Sequence, residues 1–204
     1  MIEVFLEQGT PEWFAEKIGK PSASDFNKIL TSTGKISESR KGYLYQLAAE
    51  AITGESEQTH NSPHMTRGTA MEGESHCFFE LATGITVRKT GVCYPDDNKL
   101  YLCSPDGLCV EEPAGLEMKN PMAKTHVKYL LDNKLPTDYF CQVHGSIAVT
   151  GLDYWYFLSY YPGMQPLLLR VEPDVKWIDK FKIEIVCFVQ ELQEIISKIR
   201  MEKI

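Results

Sequence analysis

The chain has 204 residues, 43% of them hydrophobic and 24% charged, which is enough apolar material to bury a core in one domain and excludes intrinsic disorder. No run approaches the ~20 apolar residues of a membrane span, and Met1-Ile2-Glu3-Val4-Phe5 lacks the basic start and apolar stretch of a secretory signal, so a cytoplasmic protein is expected. The formal net charge of −7 speaks against a generally basic polyanion binder, so any nucleic-acid contact must be local.

Along the chain, positive charge collects first at Lys17, Lys20, Lys28, Lys35, Arg40, Lys41 and Arg67. An amphipathic run from Asp25 to Leu30 follows Ser24, which reads as a helix N-cap. Thr53 to Pro63 reads as a loop. Within it and just beyond it, His60 and His64 have ligand-like spacing, but Pro63 disrupts the helix that would align them. Arg67 to Glu72 opens a helix that continues into Cys77-Phe78-Phe79.

Leu100 to Cys103 then reads as a strand, Ser104-Pro105-Asp106-Gly107 as a turn, and Leu108 to Val110 as a strand that returns through Pro113-Ala114-Gly115 into Leu116-Glu117-Met118-Lys119. Lys124, Lys128 and Lys134 extend the charge of Lys119. A later helix places Tyr139, Gln142 and Ser146 on one face at i, i+3, i+7. Asp153 to Tyr161 is too aromatic for a surface loop and reads as a buried strand, paired with Leu167 to Val171 across the Pro162-Gly163 turn. Residues 174–204 form an amphipathic helix with Trp177, Phe181, Ile185, Phe188, Leu192, Ile195, Ile196 and Ile199 at helical spacing; it packs on the core, on another subunit or on a partner. The six cysteines are widely spaced without a CxxC pair and read as reduced core residues, which argues against zinc or an iron–sulfur cluster.

The chemistry concentrates at Asp106, Glu117 and Lys119. Alternation along a strand puts Glu117 and Lys119 on one face and Leu116 and Met118 on the other, while Asp106, at the hairpin's other arm, can share a divalent cation with Glu117. Hard oxygen ligands of this kind suit magnesium, and a nearby ammonium can orient a nucleophile or stabilise a charged transition state. The pattern therefore points to phosphodiester hydrolysis. Taken alone, Pro-Asp-Gly is also a common turn and Glu-x-Lys a common solvated strand edge.

Several motifs in order resemble the phage lambda exonuclease and YqaJ-like viral recombinase family, a branch of the PD-(D/E)xK nucleases. They are Gln8-Gly9-Thr10-Pro11-Glu12-Trp13-Phe14 with Lys17-Ile18-Gly19, Ser22-Ala23-Ser24-Asp25-Phe26, Arg67-Gly68-Thr69-Ala70-Met71-Glu72, Ser104 to Leu108 with Leu116 to Lys119, and Tyr139-Phe140-Cys141-Gln142-Val143. The resemblance runs from about Gln8 to about Tyr161. It implies an α/β, restriction-endonuclease-like fold with a mixed central sheet flanked by helices, in a single domain.

The resemblance also implies roles. Asp106, Glu117 and the Met118 carbonyl would hold Mg2+, for which Mn2+ would substitute; Glu72 would serve a second ion or its water; Lys119 would act on the attacking water and Gln142 would support the site. Lys17, Ser22, Ser24 and Ser104 would form a 5′-phosphate pocket, with Tyr139 among the DNA-contacting residues and Lys35 and Arg40 as candidates for a further basic position. Lys17 stands where the family has an arginine, exchanging a bidentate fork for a point charge. Met65 would be a wedge between terminal base pairs, or else a buried methionine at a helix start. The implied activity is a 5′→3′ exonuclease on 5′-phosphorylated linear duplex DNA, leaving a 3′ overhang. A homotrimeric ring and a single-strand annealing recombinase partner are implied with it. The alternatives are a related endonuclease or repair nuclease and a non-catalytic DNA-binding scaffold.

Overall fold

The computed structural model describes residues 1–56 and 63–201, the side chains of residues 63–70 excepted. The expectations for His60, His64, Met65 and Arg67, and much of the loop from Thr53 to Pro63, lie outside the described residues and side chains. The chain runs β1 (Ile2–Val4), α1 (Pro11–Lys17), a 3-10 turn (Ala23–Lys28), α2 (Arg40–Thr53), α3 (Pro63–Thr83), β2 (Val87–Arg88), β3 (Val92–Tyr94), β4 (Gly107–Cys109) and β5 (Ala114–Lys119). It continues through α4 (Ala123–Asp132), α5 (Thr137–Thr150), β6 (Tyr154–Ser159), β7 (Leu167–Val171) and α6 (Val175–Met201).

β1 and β3 form a small antiparallel pair, and the other strands form a five-stranded sheet in the order β2-β4-β5-β6-β7. Every pairing in that sheet is antiparallel except β5 with β6. The parallel pair is possible because α4 and α5 carry the chain back to the end of the sheet where β5 starts before β6 begins. The result is a mixed sheet with helices on both faces.

Side-chain alternation explains how the faces are covered. From β5 and β6, Leu116, Met118, Tyr154 and Leu158 pack with Phe79 of α3. Trp155 and Phe157 turn the other way, into a larger core with α2, α5, α6 and the 3-10 turn. Glu117 therefore faces α5. That face admits a polar site because Gln142, on α5, meets the carboxylate there.

α6 covers the same core along its length. Trp177, Phe181, Ile185, Phe188 and Leu192 are buried, Tyr43 of α2 lies 5.6 Å from the Phe188 ring, and the Trp177 indole N–H donates to the Thr31 carbonyl at 2.9 Å. Ile195 and Ile196 pack partly buried against the same core, whereas Ile199 is exposed, so the stripe read from sequence is covered within its own chain as far as Ile196. On α5, Gly145 admits the 3-10 turn: a Cβ there would lie 2.4 Å from Phe26 Cδ2. The 3-10 turn can approach α5 so closely only because that position has no side chain.

Some expectations need correction. Leu100–Cys103 is not a regular strand; Leu102 and Cys103 make single bridges to Ser22 and Cys93, because the segment is divided between two short partners. Ser24 is not an N-cap: the 3-10 turn begins at Ala23 with Ser22 in the cap position. Of the cysteines, Cys93, Cys103, Cys109 and Cys141 are buried, whereas Cys77 and Cys187 are exposed on helix surfaces. α2 and α4 were not read as helices from the sequence; α2 buries Tyr43, Leu44, Leu47, Ala48 and Glu50, and α4 buries His126 and Tyr129.

Candidate active site

Asp106 lies at the bend that leads into β4. Its backbone N–H donates to the Leu116 carbonyl at 3.1 Å, and its Oδ2 accepts the Met118 N–H at 2.5 Å. Two hydrogen bonds thus tie Asp106 to β5. Glu117, next along β5, is only 2% exposed; its Oε1 accepts the Gln142 amide at 2.7 Å and is ion-paired with the Lys119 Nζ. Lys119 in turn lies 5.0 Å from the centre of the Tyr139 ring. The structure brings Asp106, Glu117, Lys119, Gln142 and Tyr139 together.

Burial sets the electrostatics of this group. Burial raises the Asp106 carboxyl above its ordinary range, opposed by Lys119 and the Met118 N–H. Burial likewise pushes Glu117 up to about 7 against the pull of Lys119, and Asp106 adds to the rise. Desolvation pulls Lys119 down, but Glu117 and Asp106 more than compensate, leaving it above the usual lysine value. One ammonium is shared by two desolvated carboxylates.

Glu72 is exposed on α3. Its carboxyl is raised by partial burial and by Asp106, with Lys89 and Lys119 opposing, so it shares their electrostatic neighbourhood. Asn120, just past β5, donates to Ser75 Oγ at 3.4 Å, and Ser75 Oγ donates to the Glu72 carbonyl at 3.1 Å. That relay ties α3 to the end of β5. Among the described residues, no three His, Cys, Asp or Glu side chains are grouped closely enough to form a metal cluster; Asp106 and Glu117 offer a pair of oxygen donors.

The proposed phosphate residues separate into two sets. Lys17 lies over the Trp13 ring at 3.8 Å, and the Trp13 indole N–H donates to Ser104 Oγ at 3.0 Å. Burial lowers Lys17 to about 8 although Asp25 and Glu117 attract its proton. Ser24 is exposed beside buried Ser22, their hydroxyl oxygens 3.5 Å apart. Arg40 does not fit this group: its guanidinium is bound bidentately to Glu191 at 2.6 and 2.8 Å. Lys35 is exposed on a turn whose backbone is held by Thr31, with no described contact to Asp106 or Glu117.

The basic clusters read from sequence are also partly neutralised. Lys20 pairs with Glu16, Lys28 with Asp25 and Lys128 with Asp132. Sequence reasoning missed three contributors: Gln8 and Trp13, which stood in the N-terminal motif without a role, and Lys89, which follows Arg88 outside every motif. Gln8 donates to the Pro105 carbonyl at 2.7 Å and to the Thr90 carbonyl at 3.0 Å.

Comparison with known proteins places the sequence and the fold. The sequence model of the YqaJ-like viral recombinase domain matches residues 12–153, more than half of the chain. The alkaline exonuclease LHK-Exo from Laribacter hongkongensis is similar at 27% identity and TM-score 0.85, over 95% of this chain and 97% of that one. The same enzyme in complex with dAMP matches at 28% identity and TM-score 0.84 over the same shares. A phage-related exonuclease from Haemophilus somnus 129PT, 14% identical, has the same fold at TM-score 0.69 over 88% of this chain and 96% of that one. No curated protein sequence gives a significant match.

Proposed function

Because the chain belongs to the YqaJ-like viral recombinase family, we propose that it is a metal-dependent deoxyribonuclease that degrades the 5′-phosphorylated strand of linear duplex DNA in the 5′→3′ direction. The strongest support is the C-terminal end of the central strand β5, where Asp106 is tied to the Met118 N–H and Glu117 is ion-paired with Lys119. That strand end lies in a fold similar over 95% of the chain to an alkaline exonuclease. A mononucleotide complex of that relative is in keeping with release of deoxynucleoside 5′-monophosphates.

The donor set fits a hard divalent cation. Two carboxylates are held above their ordinary range by burial, so taking both protons away leaves charge that Lys119 alone does not balance. Asp106 and Glu117, with the Met118 carbonyl, would hold Mg2+, or Mn2+ in its place; Glu72 would serve a second ion. When bound, the ion supplies Lewis-acid charge and makes water more acidic. Lys119, kept protonated by its acidic neighbours, places positive charge where the phosphate gains negative charge. Gln142 holds the Glu117 carboxylate in orientation. Lys17, Ser22, Ser24 and Ser104 would receive the terminal phosphate, and Met65 would separate the terminal base pair.

Family membership alone supports the assembly we propose with this activity: a homotrimeric ring, working in the bacterial cytoplasm with a single-strand annealing recombinase that coats the exposed 3′ strand. The test of the reaction is a set of duplexes labelled on one strand and bearing a 5′ phosphate, a 5′ hydroxyl or no ends. Loss of the 5′-phosphorylated strand from its 5′ end is the expected result. Cleavage of closed circles would indicate an endonuclease instead, and equal loss from 5′-hydroxyl ends would remove the phosphate pocket from the account.

A further inference from the structure

We infer that Gln8 is a positioning residue for Asp106, acting through the peptide bond that joins Pro105 to it; this rests on the nuclease reading above. Gln8 is exposed, far from Asp106 in sequence, and makes no contact with the carboxylates. Its importance lies in where its two amide hydrogens go. Both are used, one on the Pro105 carbonyl at 2.7 Å and one on the Thr90 carbonyl at 3.0 Å.

The Pro105 carbonyl and the Asp106 N–H belong to one planar unit. Gln8 holds its oxygen end, and the Leu116 carbonyl accepts from its nitrogen end at 3.1 Å. A peptide pinned at both ends has little freedom to rotate, and hydrogen bonds in series polarise one another. Its rotation would swing the Asp106 side chain away from the Met118 N–H, which its Oδ2 accepts at 2.5 Å. Proline at 105 contributes no N–H of its own, so the carbonyl is the polar handle left to that residue.

The segment carrying Gln8 is shaped for this grip. Gly9 has φ +85°, a left-handed turn that glycine adopts without steric cost, and Thr10 then caps α1 by accepting the Trp13 N–H at 3.4 Å. Trp13 holds the same two stretches of chain at the neighbouring residues, one further along in the first and one back in the second: its indole N–H reaches Gly91 O at 3.2 Å and Ser104 Oγ at 3.0 Å. Gln8 and Trp13 thus bind residues 90–91 to residues 104–105 from outside. Of the two, it is Gln8 that bonds to Pro105, the residue before Asp106.

The experiment compares wild type with Gln8→Glu, which keeps the shape and replaces both donors with a charged acceptor, and Gln8→Ala, which removes the group. Three quantities are read: the melting temperature without metal, the affinity for Mn2+ by calorimetry, and kcat and KM on linear 5′-phosphorylated duplex. Loss of an outer partner of a metal-binding carboxylate commonly costs about 10–100-fold in affinity or activity. The expected result is a loss of that size in both kcat and Mn2+ affinity for both variants, with KM unchanged and the melting temperature within a few degrees of wild type. Mn2+ affinity and kcat within twofold of wild type would overturn the inference. So would losses that track a collapse of the melting temperature, because Gln8 would then be a strap for the fold only. An inactive wild type would defeat the nuclease reading instead, and the calorimetric comparison would still decide the role of Gln8.

Discussion

Lys17 carries its ammonium 3.8 Å from the centre of the Trp13 ring, in surroundings that lower its pKa to about 8 from the ordinary 10.5. Burial is the main cause, and Asp25 and Glu117 recover only part of the loss. Between pH 8 and 10.5 the unfolded chain therefore binds this proton and the folded protein does not, so the contribution of Lys17 to stability rises with pH across that window. At pH 7 the buried charge is a cost. Lys17→Met should raise stability at pH 7 by on the order of 1 kcal/mol and remove the rise above pH 8, as urea unfolding at pH 7 and pH 10 would show. The same variant should lose preference for 5′-phosphorylated over 5′-hydroxyl ends. Lower stability at pH 7 would mean that its stacking on Trp13 outweighs desolvation. Arg40, by contrast, is occupied by Glu191; Arg40→Gln should weaken the α2–α6 contact by about 1 kcal/mol and leave cleavage at its wild-type rate.

At the scale of elements, the approach of the 3-10 turn to α5 depends on Gly145. A Cβ there would overlap the Phe26 ring, so Gly145→Ala should cost about 1–3 kcal/mol as an overpacked core. Because the same turn carries Ser22 and Ser24, KM for phosphorylated ends should rise more than kcat falls; the reverse pattern would separate the turn from end binding. Elements of this kind were legible where a single local pattern governs them. β6 announced itself by a run too aromatic for a surface loop, α6 by its apolar stripe, and the end of β5 by Glu117 and Lys119 on a common face. What stayed hidden depends on partners distant in sequence. Nothing near Arg40 points to Glu191, nothing near Gln8 points to Pro105, and Leu100–Cys103 has strand composition but two competing partners. The site's centre was readable because Asp106, Glu117 and Lys119 are close in sequence; of its supports, Gln142 and Tyr139 were named by the family resemblance and meet Glu117 and Lys119, whereas Gln8 and Trp13 were given no role.

For the molecule as a whole, charge is the informative property. Net charge is −7, and Lys20, Lys28, Arg40 and Lys128 are each committed to an acidic partner. The cations whose charge reaches Glu72, Asp106 and Glu117 are Lys17, Lys89 and Lys119, so DNA binding should show a shallow salt dependence: kcat/KM should fall by no more than about 40-fold between roughly 50 and 200 mM salt, as expected for about three phosphate contacts. A much steeper fall would require several more phosphate contacts than this arrangement provides. The central claim is that Asp106, Glu117 and Lys119 hydrolyse phosphodiesters at the ends of duplex DNA. Its most direct measurement is release of mononucleotides from linear duplex with Mg2+, comparing wild type with folded Lys119→Ala. Rapid release by wild type, reduced by at least about 100-fold in the variant, is the predicted result; no release by folded wild type with Mg2+ or Mn2+, or equal release by the variant, would contradict it.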